Sequence, residues 1–405
     1  MSRIMMPLVG MLLAAGCCQC RTPVESGTRF AAEAFGPAVE SGELPGVISV
    51  LYDDGLQETC CLGYADVEAR RAITLDDPFQ QCSQTKGFCG VTVAMLVEEG
   101  KLNLDDPVSK YIPEFRDLWV LASDTNGVRR LEKAKKTLTV RMCLNHTGGF
   151  GFDLPHYVPM GGWSRRMPLR SVALVAALIP LDFEPGTRVQ YSNVGIDVGA
   201  AIVERVSGMR WEDFLSERIF KPLGMKSTTF WPTEDQLKRR IELYRYEKGK
   251  RAVKSAPSGC MQAPFNDDRV FPSAGAGLWT TARDQLRFYK MLMNLGVGEN
   301  GVRILKDETV KNLLAVSSRP KSLGGYSLGL SAPVSDGEDA WFGHGGAWNS
   351  QCKVNWHRRQ LHLLVAQTYG DGSRYIRELN AETASKFFKA KIDRSGVDAY
   401  TGRLK

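Results

Sequence analysis

The sequence lacks the features that mark several large classes of protein. It has no internal repeat and no low-complexity block, which excludes repeat architectures and long compositionally biased segments. Beyond the N-terminus no segment approaches 18 consecutive apolar residues, so the sequence predicts no membrane-spanning helix there. There are only five histidines, and they show no partner pattern for metal binding, so we assign no metal and no cofactor.

A strong excess of either charge is also absent. The formal net charge is +7, and a composition of 43% hydrophobic and 24% charged residues is typical of globular proteins. The densest basic stretches are residues 129–136 and 237–251, and no aromatic reading surface accompanies either of them. We interpret both as solvated helix or loop faces and predict no nucleic-acid partner.

The ten cysteines are scattered along the chain and show no zinc-ligand spacing with histidine. Cys82 and Cys89 are seven residues apart, so on one helix they would be separated by about 10 Å along its axis. That separation is too large for a disulfide bond. We therefore predict that these cysteines are buried core thiols.

The N-terminus indicates a signal peptide over residues 1–20. Arg3 precedes the apolar run IMMPLVGMLLAAG, which is too short to span a bilayer as a helix. LAAGC, at residues 13–17, resembles a bacterial lipobox in which Cys17 is lipidated, although Ala14 stands where leucine is commonest. Ordinary signal-peptidase cleavage and an uncleaved anchor are the alternatives. We expect an exported protein, either a periplasmic or membrane-anchored lipoprotein or a secreted protein, with this anchor as its only membrane contact.

The order of predicted elements indicates an α/β sandwich whose sheet is built from both ends of the chain. Residues 46–67 predict a β-hairpin that turns at Asp53-Asp54-Gly55. Helices are predicted at 84–99, 194–207, 211–225 (ending before Pro222) and 377–392, and after the cap formed by Thr281 and Asp284; further strands are predicted at 327–333 and 351–369. The helical middle would form an inserted subdomain, and active sites often lie where two such lobes meet.

The motif Ser-x-x-Lys occurs three times, and local geometry separates the three occurrences. Pro320 lies inside Ser318–Lys321 and argues against a helix interior there. Ser350–Lys353 opens a predicted strand, where residues i and i+3 point to opposite faces. Ser83–Lys86 lies at the start of a predicted helix, which brings both side chains onto one face.

Ser83 at a helix start has chemistry that suits a nucleophile. The N–H groups at the helix N-terminus can bind an oxyanion, and the helix dipole favours negative charge there. Burial of a lysine favours its neutral form, so a buried Lys86 could accept the serine proton. In the alternative interpretation Ser83 is an ordinary N-cap and Lys86 is a solvated side chain.

Two later motifs favour the nucleophile. Tyr191-Ser192-Asn193 is the only Tyr-x-Asn in the chain and lies just before a predicted helix. Tyr191 could act as the general base for Ser83, and Asn193 could bind the Ser–Lys network or a substrate amide. A tyrosine packed in a turn, with the asparagine as a cap, is the alternative.

FGHGGAWNS, at residues 342–350, supplies the third motif. Gly345 and Gly346, next to a strand, permit close approach of another backbone or of a ligand. The N–H of Ala347 could then be a second oxyanion donor beside that of Ser83, and His344 could bind substrate or steady the tyrosine. The alternative is a tight turn with a surface histidine.

Together these motifs resemble the serine β-lactamase and penicillin-binding superfamily, in its class C β-lactamase-like branch, over roughly residues 30–392. CSQTKGF matches the nucleophile motif and YSN the tyrosine motif, and HGG stands where the β-lactamases have Lys-Thr-Gly. EEGKLNLDDPVSKYIPEF, LTVRMCLNHTGGF and SAGAGLWTTARD also resemble family stretches. The resemblance implies a β-lactamase/transpeptidase-like fold, with an antiparallel sheet flanked by helices and a mostly helical subdomain at roughly 90–260.

The resemblance also implies roles for these residues. Ser83 would attack a carbonyl and form an acyl-enzyme, while Lys86 and Tyr191 transfer protons. The N–H groups of Ser83 and Ala347 would hold the oxyanion, and water would complete hydrolysis with Tyr191 as base. We expect His146, in a recurring family loop, to be structural.

One departure from the family pattern affects the expected substrate. His344 replaces the lysine that helps to hold the antibiotic's carboxylate, and histidine is mostly neutral at pH 7. Gly345 replaces the threonine hydroxyl. We therefore expect a serine hydrolase of a small-molecule ester, amide or peptide, closer to an esterase or peptidase than to a β-lactamase. A non-catalytic penicillin-binding-like sensor, or a D-alanyl carboxypeptidase or transpeptidase acting on peptidoglycan stems, is the alternative.

Overall fold

The computed structural model describes residues 30–155, 167–255, 270–315, 325–332, 337–370 and 373–390. Cys17 and the predicted signal peptide lie outside these ranges, as do Ser318–Lys321 and His156. Within these ranges no helix has both the length and the apolar character needed to cross a membrane.

An eight-stranded sheet forms the framework, and every neighbouring pair in it is antiparallel. Its strands, in spatial order, are β10 (Gly325–Tyr326), β11 (Ser331–Ala332), β12 (Phe342–Gly345), β13 (Ser350–Asn355), β14 (Gln360–Val365), β1 (Gly46–Asp53), β2 (Leu56–Asp66) and β3 (Arg71–Ala72). The C-terminal strand β14 pairs with β1, with Val365 opposite Ile48. The sheet therefore joins both ends of the chain, as predicted.

The remaining elements of the described ranges are helices and three small sheets. The helices are α1 (Phe30–Glu40), α2 (Thr85–Glu98), α3 (Val140–Leu144), α4 (Leu169–Leu178), α5 (Asn193–Ser207), α6 (Trp211–Leu215), α7 (Lys221–Leu223), α8 (Glu234–Lys238), α9 (Ala282–Met293), α10 (Asp307–Leu314) and α11 (Ser373–Lys389). Small sheets pair β4 (Phe79–Gln80) with β9 (Trp279–Thr280), β5 (Trp119–Thr125) with β6 (Val128–Lys133), and β7 (Tyr244–Arg245) with both β8 (Val253–Lys254) and β15 (Thr368–Tyr369).

Strand β1 is buried on both faces of the sheet. Ile48 and Val50 point into the main core, which contains most of the buried apolar side chains of the helical middle. Val47 points to the opposite face, where it packs with Phe35 of α1 and Ile376 of α11. This alternation follows from the two-residue period of a strand, so the sheet is covered by helices on each side.

Helix α2 runs through the main core and brings the site together. All its residues from Thr85 to Leu96 are buried, which is the behaviour of a helix surrounded by protein. It packs against α5, where Cys89 Sγ lies 3.5 Å from the carbonyl oxygen of Ile196. The first turns of α2 and α5, which carry Lys86 and Asn193, therefore meet.

The structure differs from the predicted elements in three places. Residues 129–133 of the first basic stretch lie in β6, so this exposed face belongs to a strand and not to a helix or loop. The partner strand β5 is fixed by the N–H of Leu121, which donates to Leu181 O. The helix after Trp211 does not end before Pro222: a π-helical turn leads into α7, where the proline occupies a first-turn position that needs no N–H donor. Ser327 bonds back to Leu330 O, so most of the strand predicted at 327–333 is a turn.

Candidate active site

A short turn between β4 and α2 carries Ser83. Cys82–Gln84 form a 3₁₀ turn that runs directly into α2. Thr85 fixes the turn, since its Oγ1 donates to Cys82 O at 2.7 Å and accepts from the N–H of Leu278 at 3.2 Å. Cys82 has a φ of 51°, in the left-handed region that non-glycine residues rarely adopt. The half-buried Ser83 therefore stands at the start of the central helix, as its position in the sequence predicts.

Lys86 has its terminal nitrogen at the centre of three contacts. The side chain is fully buried, and Nζ donates to Ser83 Oγ at 3.2 Å, to Asn193 Oδ1 at 2.6 Å and to Gly275 O at 2.6 Å. These three acceptors match the three N–H donors of a lysine ammonium. The helix thus brings Ser83 and Lys86 onto one face, as the i, i+3 spacing predicts.

The start of α5 positions Tyr191 and Asn193. Ser192 is the N-cap: its Oγ accepts from the N–H of Gly195 at 3.0 Å and donates to Gly151 O at 2.7 Å. Asn193 follows as the first helical residue, with its side chain directed to Lys86. The cap is therefore the serine of the Tyr-x-Asn motif, which leaves the asparagine side chain for the lysine.

Gly275 and Asp197 also hold the network, and the sequence interpretation missed both. Asp197 lies one turn after Asn193 on α5 and is 1% exposed. Its Oδ1 accepts from the N–H groups of Ala274 at 2.8 Å and of Gly275 at 3.1 Å, which fixes the loop whose carbonyl receives Lys86. The role of Gly275 could not be predicted from the sequence, because any residue type has a backbone carbonyl. Asp197 could have been identified, because its i, i+4 spacing from Asn193 places both side chains on one face of the helix.

The HGG segment lies against the nucleophile turn. A Cβ on Gly346 would stand 2.5 Å from Gln81 O and 2.3 Å from Ser350 Oγ, so glycine is what permits this approach. Burial raises the pKa of the Cys82 thiol to about 12, and the nearby backbone N–H groups of Ala347 and Trp348 partly offset that effect. The structure therefore brings Gly346 and Ala347 beside the Ser83 turn.

His344 is buried, and its contacts define its tautomer. Nδ1 lies 2.7 Å from Gly345 O, which can only accept, so Nδ1 carries the hydrogen. Nε2 then accepts from the hydroxyl of Tyr326 at 2.7 Å. Burial, and secondly the charge of Lys86, lower the pKa of His344 to about 3. Burial raises the pKa of Tyr326 well above its usual range, so this pair is a neutral acceptor and a protonated phenol.

Tyr191 lies among these groups. Its hydroxyl is 3.5 Å from His344 Nε2, and Lys86 Nζ lies 4.6 Å from the centre of its ring. The half-exposed ring of Phe152 stacks against it with 6.1 Å between ring centres. Neither Tyr326 nor Phe152 was identified from the sequence, because an isolated aromatic residue in a glycine-rich stretch carries no pattern.

The other sequence candidates are buried. His146 is 2% exposed and packs against Tyr191, with 4.5 Å between ring centres, and burial lowers its pKa well below the usual range. The six cysteines that the structure describes are also all buried, which confirms the prediction of core thiols for them: Cys60, Cys61, Cys82, Cys89, Cys143 and Cys352. In the described ranges, no three acidic, histidine or cysteine side chains are grouped in a way that could hold a metal ion.

Comparison with known proteins identifies sequences that are similar to this chain. The beta-lactamase family model matches residues 31–382. Protein Rv1367c of Mycobacterium tuberculosis (strain ATCC 25618 / H37Rv) is 32% identical over 277 residues, which cover 67% of this chain and 68% of that protein. Esterase EstB of Burkholderia gladioli is 29% identical over 278 residues, which cover 62% of this chain and 67% of that protein.

A solved structure supports the fold independently. EstCE1, described as a hydrolase with promiscuous acyltransferase activity, superposes with a TM-score of 0.70 at 21% identity. The match covers 88% of this chain and 98% of that chain. This likeness confirms the predicted architecture, an antiparallel sheet flanked by helices from both chain ends.

Proposed function

The chain belongs to the beta-lactamase family of serine hydrolases, and from this membership we propose that it cleaves esters of uncharged small molecules through an acyl-enzyme on Ser83. The observation that carries the proposal is the contact of Lys86 Nζ with Ser83 Oγ at 3.2 Å inside a buried polar network. A solvated lysine at a helix surface would have no reason to be fully buried against a serine, an asparagine and a carbonyl.

In the proposed acylation step, Ser83 Oγ attacks the ester carbonyl carbon while its proton passes to the Tyr191 oxygen as the general base, beside the Lys86 ammonium. Lys86 Nζ is within hydrogen-bond distance of Ser83, and the Tyr191 ring lies 4.6 Å from that same nitrogen. When the tetrahedral intermediate collapses, the bond to the leaving alcohol breaks and the alcohol takes the proton. Asn193 and Gly275 keep Lys86 in place during both events.

The proposed oxyanion donors are the backbone N–H groups of Ser83 and Ala347. Ser83 lies in the turn that opens α2, where N–H groups and the helix dipole favour negative charge. Ala347 follows Gly346, whose close approach to Gln81 O brings the second segment alongside. Removal of one fixed oxyanion donor of this kind lowers kcat by about 10²–10³-fold.

In the deacylation step a water molecule attacks the acyl-enzyme. Tyr191 takes a proton from the water as the general base, and Ser83 Oγ recovers its proton as the acid product leaves. His344 Nε2 lies 3.5 Å from the Tyr191 hydroxyl but does not itself exchange a proton, because the pKa of His344 is lowered to about 3 and Nε2 already accepts from Tyr326.

The electrostatics of His344 support a neutral substrate. A histidine whose pKa is lowered to about 3 carries no charge at pH 7, so this position supplies no cation for a substrate carboxylate. The similarity to Esterase EstB supports an ester as the substrate. We therefore propose that simple carboxylic esters are turned over faster than anionic β-lactams.

A hydrolysis panel tests the proposal. Purified protein is compared with Ser83→Ala on short-chain nitrophenyl esters, a cephalosporin reporter and D-alanyl peptides. We expect ester turnover that Ser83→Ala abolishes, with cephalosporin turnover far lower. Cephalosporin turnover above ester turnover would contradict the interpretation of His344, and ester turnover that survives in Ser83→Ala would contradict the nucleophile.

A further inference from the structure

Two hydrogen bonds from the segment that carries Tyr191 end on a single residue, His146. The N–H of Gln190 donates to the backbone carbonyl of His146 at 2.9 Å. The N–H of Ser192 donates to His146 Nδ1 at 3.3 Å. The residues on either side of Tyr191 are therefore both attached to His146, which lies 46 positions earlier than Ser192 in the chain.

The imidazole also packs against the tyrosine it flanks. Ring centres are 4.5 Å apart for His146 and Tyr191, and 4.3 Å apart for His146 and Tyr326. His146 Nε2 is buried and has no hydrogen-bond partner within the described ranges, so the Ser192 contact alone orients the ring by hydrogen bonding. Because Nδ1 must accept in that contact, the ring is the neutral Nε2–H tautomer, which agrees with the direction of its pKa.

The backbone of His146 is itself committed to this arrangement. Its φ of 64° lies in the left-handed region, where histidine and asparagine are tolerated better than most residues. The carbonyl that receives Gln190 and the side chain that receives Ser192 thus belong to one constrained residue at the end of α3. Such strain is kept where the surroundings fix it, commonly near a functional site.

We propose that His146 is a positioning residue that sets the place of the Tyr191 hydroxyl, by holding the backbone on both sides of Tyr191 and by packing against its ring. The inference rests on the proposed function, in which Tyr191 transfers protons. It goes beyond that function because His146 contacts the segment that carries Tyr191 and acts through Tyr191. Its loss should slow the chemical steps and leave substrate binding nearly unchanged.

Three variants test this role with a nitrophenyl ester as the probe. His146→Leu removes the acceptor at similar volume, and His146→Gly removes it in a residue that adopts a φ of 64° without strain. His146→Asn keeps an acceptor at the same branch position and tolerates the backbone. We expect kcat to fall about 10- to 100-fold in the first two variants, with KM within about threefold, because misplacing a catalytic group by about 1 Å costs rates of this order.

The rescue and a control separate positioning from general stability. His146→Asn should retain kcat within about threefold of the wild type. His362→Leu removes another buried histidine, which lies in β14 and whose Nδ1 is 3.0 Å from Nδ2 of Asn380 in α11. It should lower the melting temperature without lowering kcat. If His146→Leu does not fold, the Gly and Asn variants carry the comparison.

Each outcome has a defined meaning. A wild type without esterase activity would contradict the proposed function and this inference with it. An active wild type, with kcat unchanged in His146→Leu and His146→Gly, would overturn the positioning role alone. Equal losses of kcat in His146→Gly and His146→Asn would likewise overturn it, because the acceptor would then be irrelevant.

Discussion

Replacing Gly346 with alanine tests whether the HGG segment and the nucleophile turn form one rigid site. A Cβ at this position would lie 2.5 Å from Gln81 O, where ordinary contacts begin at 3.4 Å. It would also lie 2.3 Å from Ser350 Oγ, which already accepts from Gln84 Nε2 at 2.8 Å. Since Gln81 O is a main-chain atom, the two segments must separate by about 0.9 Å, the difference between 3.4 and 2.5 Å.

That movement acts directly on the proposed oxyanion donors. Gln81 is two residues before Ser83, and Ala347 follows Gly346, so the two N–H groups would be displaced relative to each other. A misplacement of about 1 Å costs on the order of 100-fold in rate. We therefore expect kcat/KM for a nitrophenyl ester to fall about 100-fold in Gly346→Ala.

The neighbouring glycine provides the matched control. A Cβ on Gly345 would first meet Arg377 Nη1 at 3.0 Å, the far end of a side chain that needs to shift by only a few tenths of an ångström and can keep the hydrogen bond from its Nη2 to Gly346 O. Gly345→Ala should therefore keep kcat/KM within about threefold of the wild type. The assay is steady-state ester hydrolysis together with the rate of fluorophosphonate labelling, and thermal melting verifies that both variants fold. Wild-type rates in Gly346→Ala, or equal losses in both variants, would refute the reasoning.

Three further predictions follow from the same contacts. Tyr326→Phe leaves the buried His344 Nε2 without its donor and should lower kcat about 3- to 10-fold in ester hydrolysis, since one hydrogen bond is worth about 1 kcal/mol; an unchanged kcat would contradict it. Asp197→Leu removes the acceptor for two N–H groups of the Gly275 loop and should lower the melting temperature and kcat/KM together, whereas a change in neither would show that the loop is held by other contacts. Burial lowers the pKa of both His344 and His362 to about 3, so unfolded chains take up protons below about pH 6.5 while the native protein does not. Unfolding free energy from urea titrations should therefore fall as pH is lowered from about 6.5 towards 3, by up to about 1.4 kcal/mol per pH unit for each histidine, and His362→Asn should reduce this slope; an identical slope would contradict the assignment.

The elements of the site that depend on local spacing were predictable from the sequence. Ser83 and Lys86 are three residues apart at the start of a helix, and Asn193 begins another helix. The position of each side chain could therefore be predicted from its own short motif. The sheet built from both ends followed from the positions of the apolar, β-branched runs. These are properties of neighbouring residues, which a single sequence displays.

The remaining elements depend on contacts between distant segments. Gly275 contributes a carbonyl oxygen to Lys86 across 189 positions, and any residue type could in principle supply that atom. Tyr326 reaches His344 from the short strand β10, which was not predicted and which directly precedes the turn between Ser327 and Leu330. Strand β6 is exposed, as its charges suggest, but its conformation was missed because it depends on pairing with β5, which is anchored by a contact with Leu181.

The most direct test of the account is the site at which a covalent inhibitor attaches. Protein treated with a fluorophosphonate is digested with trypsin and analysed by mass spectrometry, with Ser83→Ala as the control. Cleavage after Arg71 and Lys86 releases residues 72–86, in which Ser83 is the only serine. The account predicts that the mass of the adduct appears on Ser83 in this peptide and that Ser83→Ala remains unlabelled. Folded wild-type protein that is not labelled, or that carries the adduct on another residue, would contradict it.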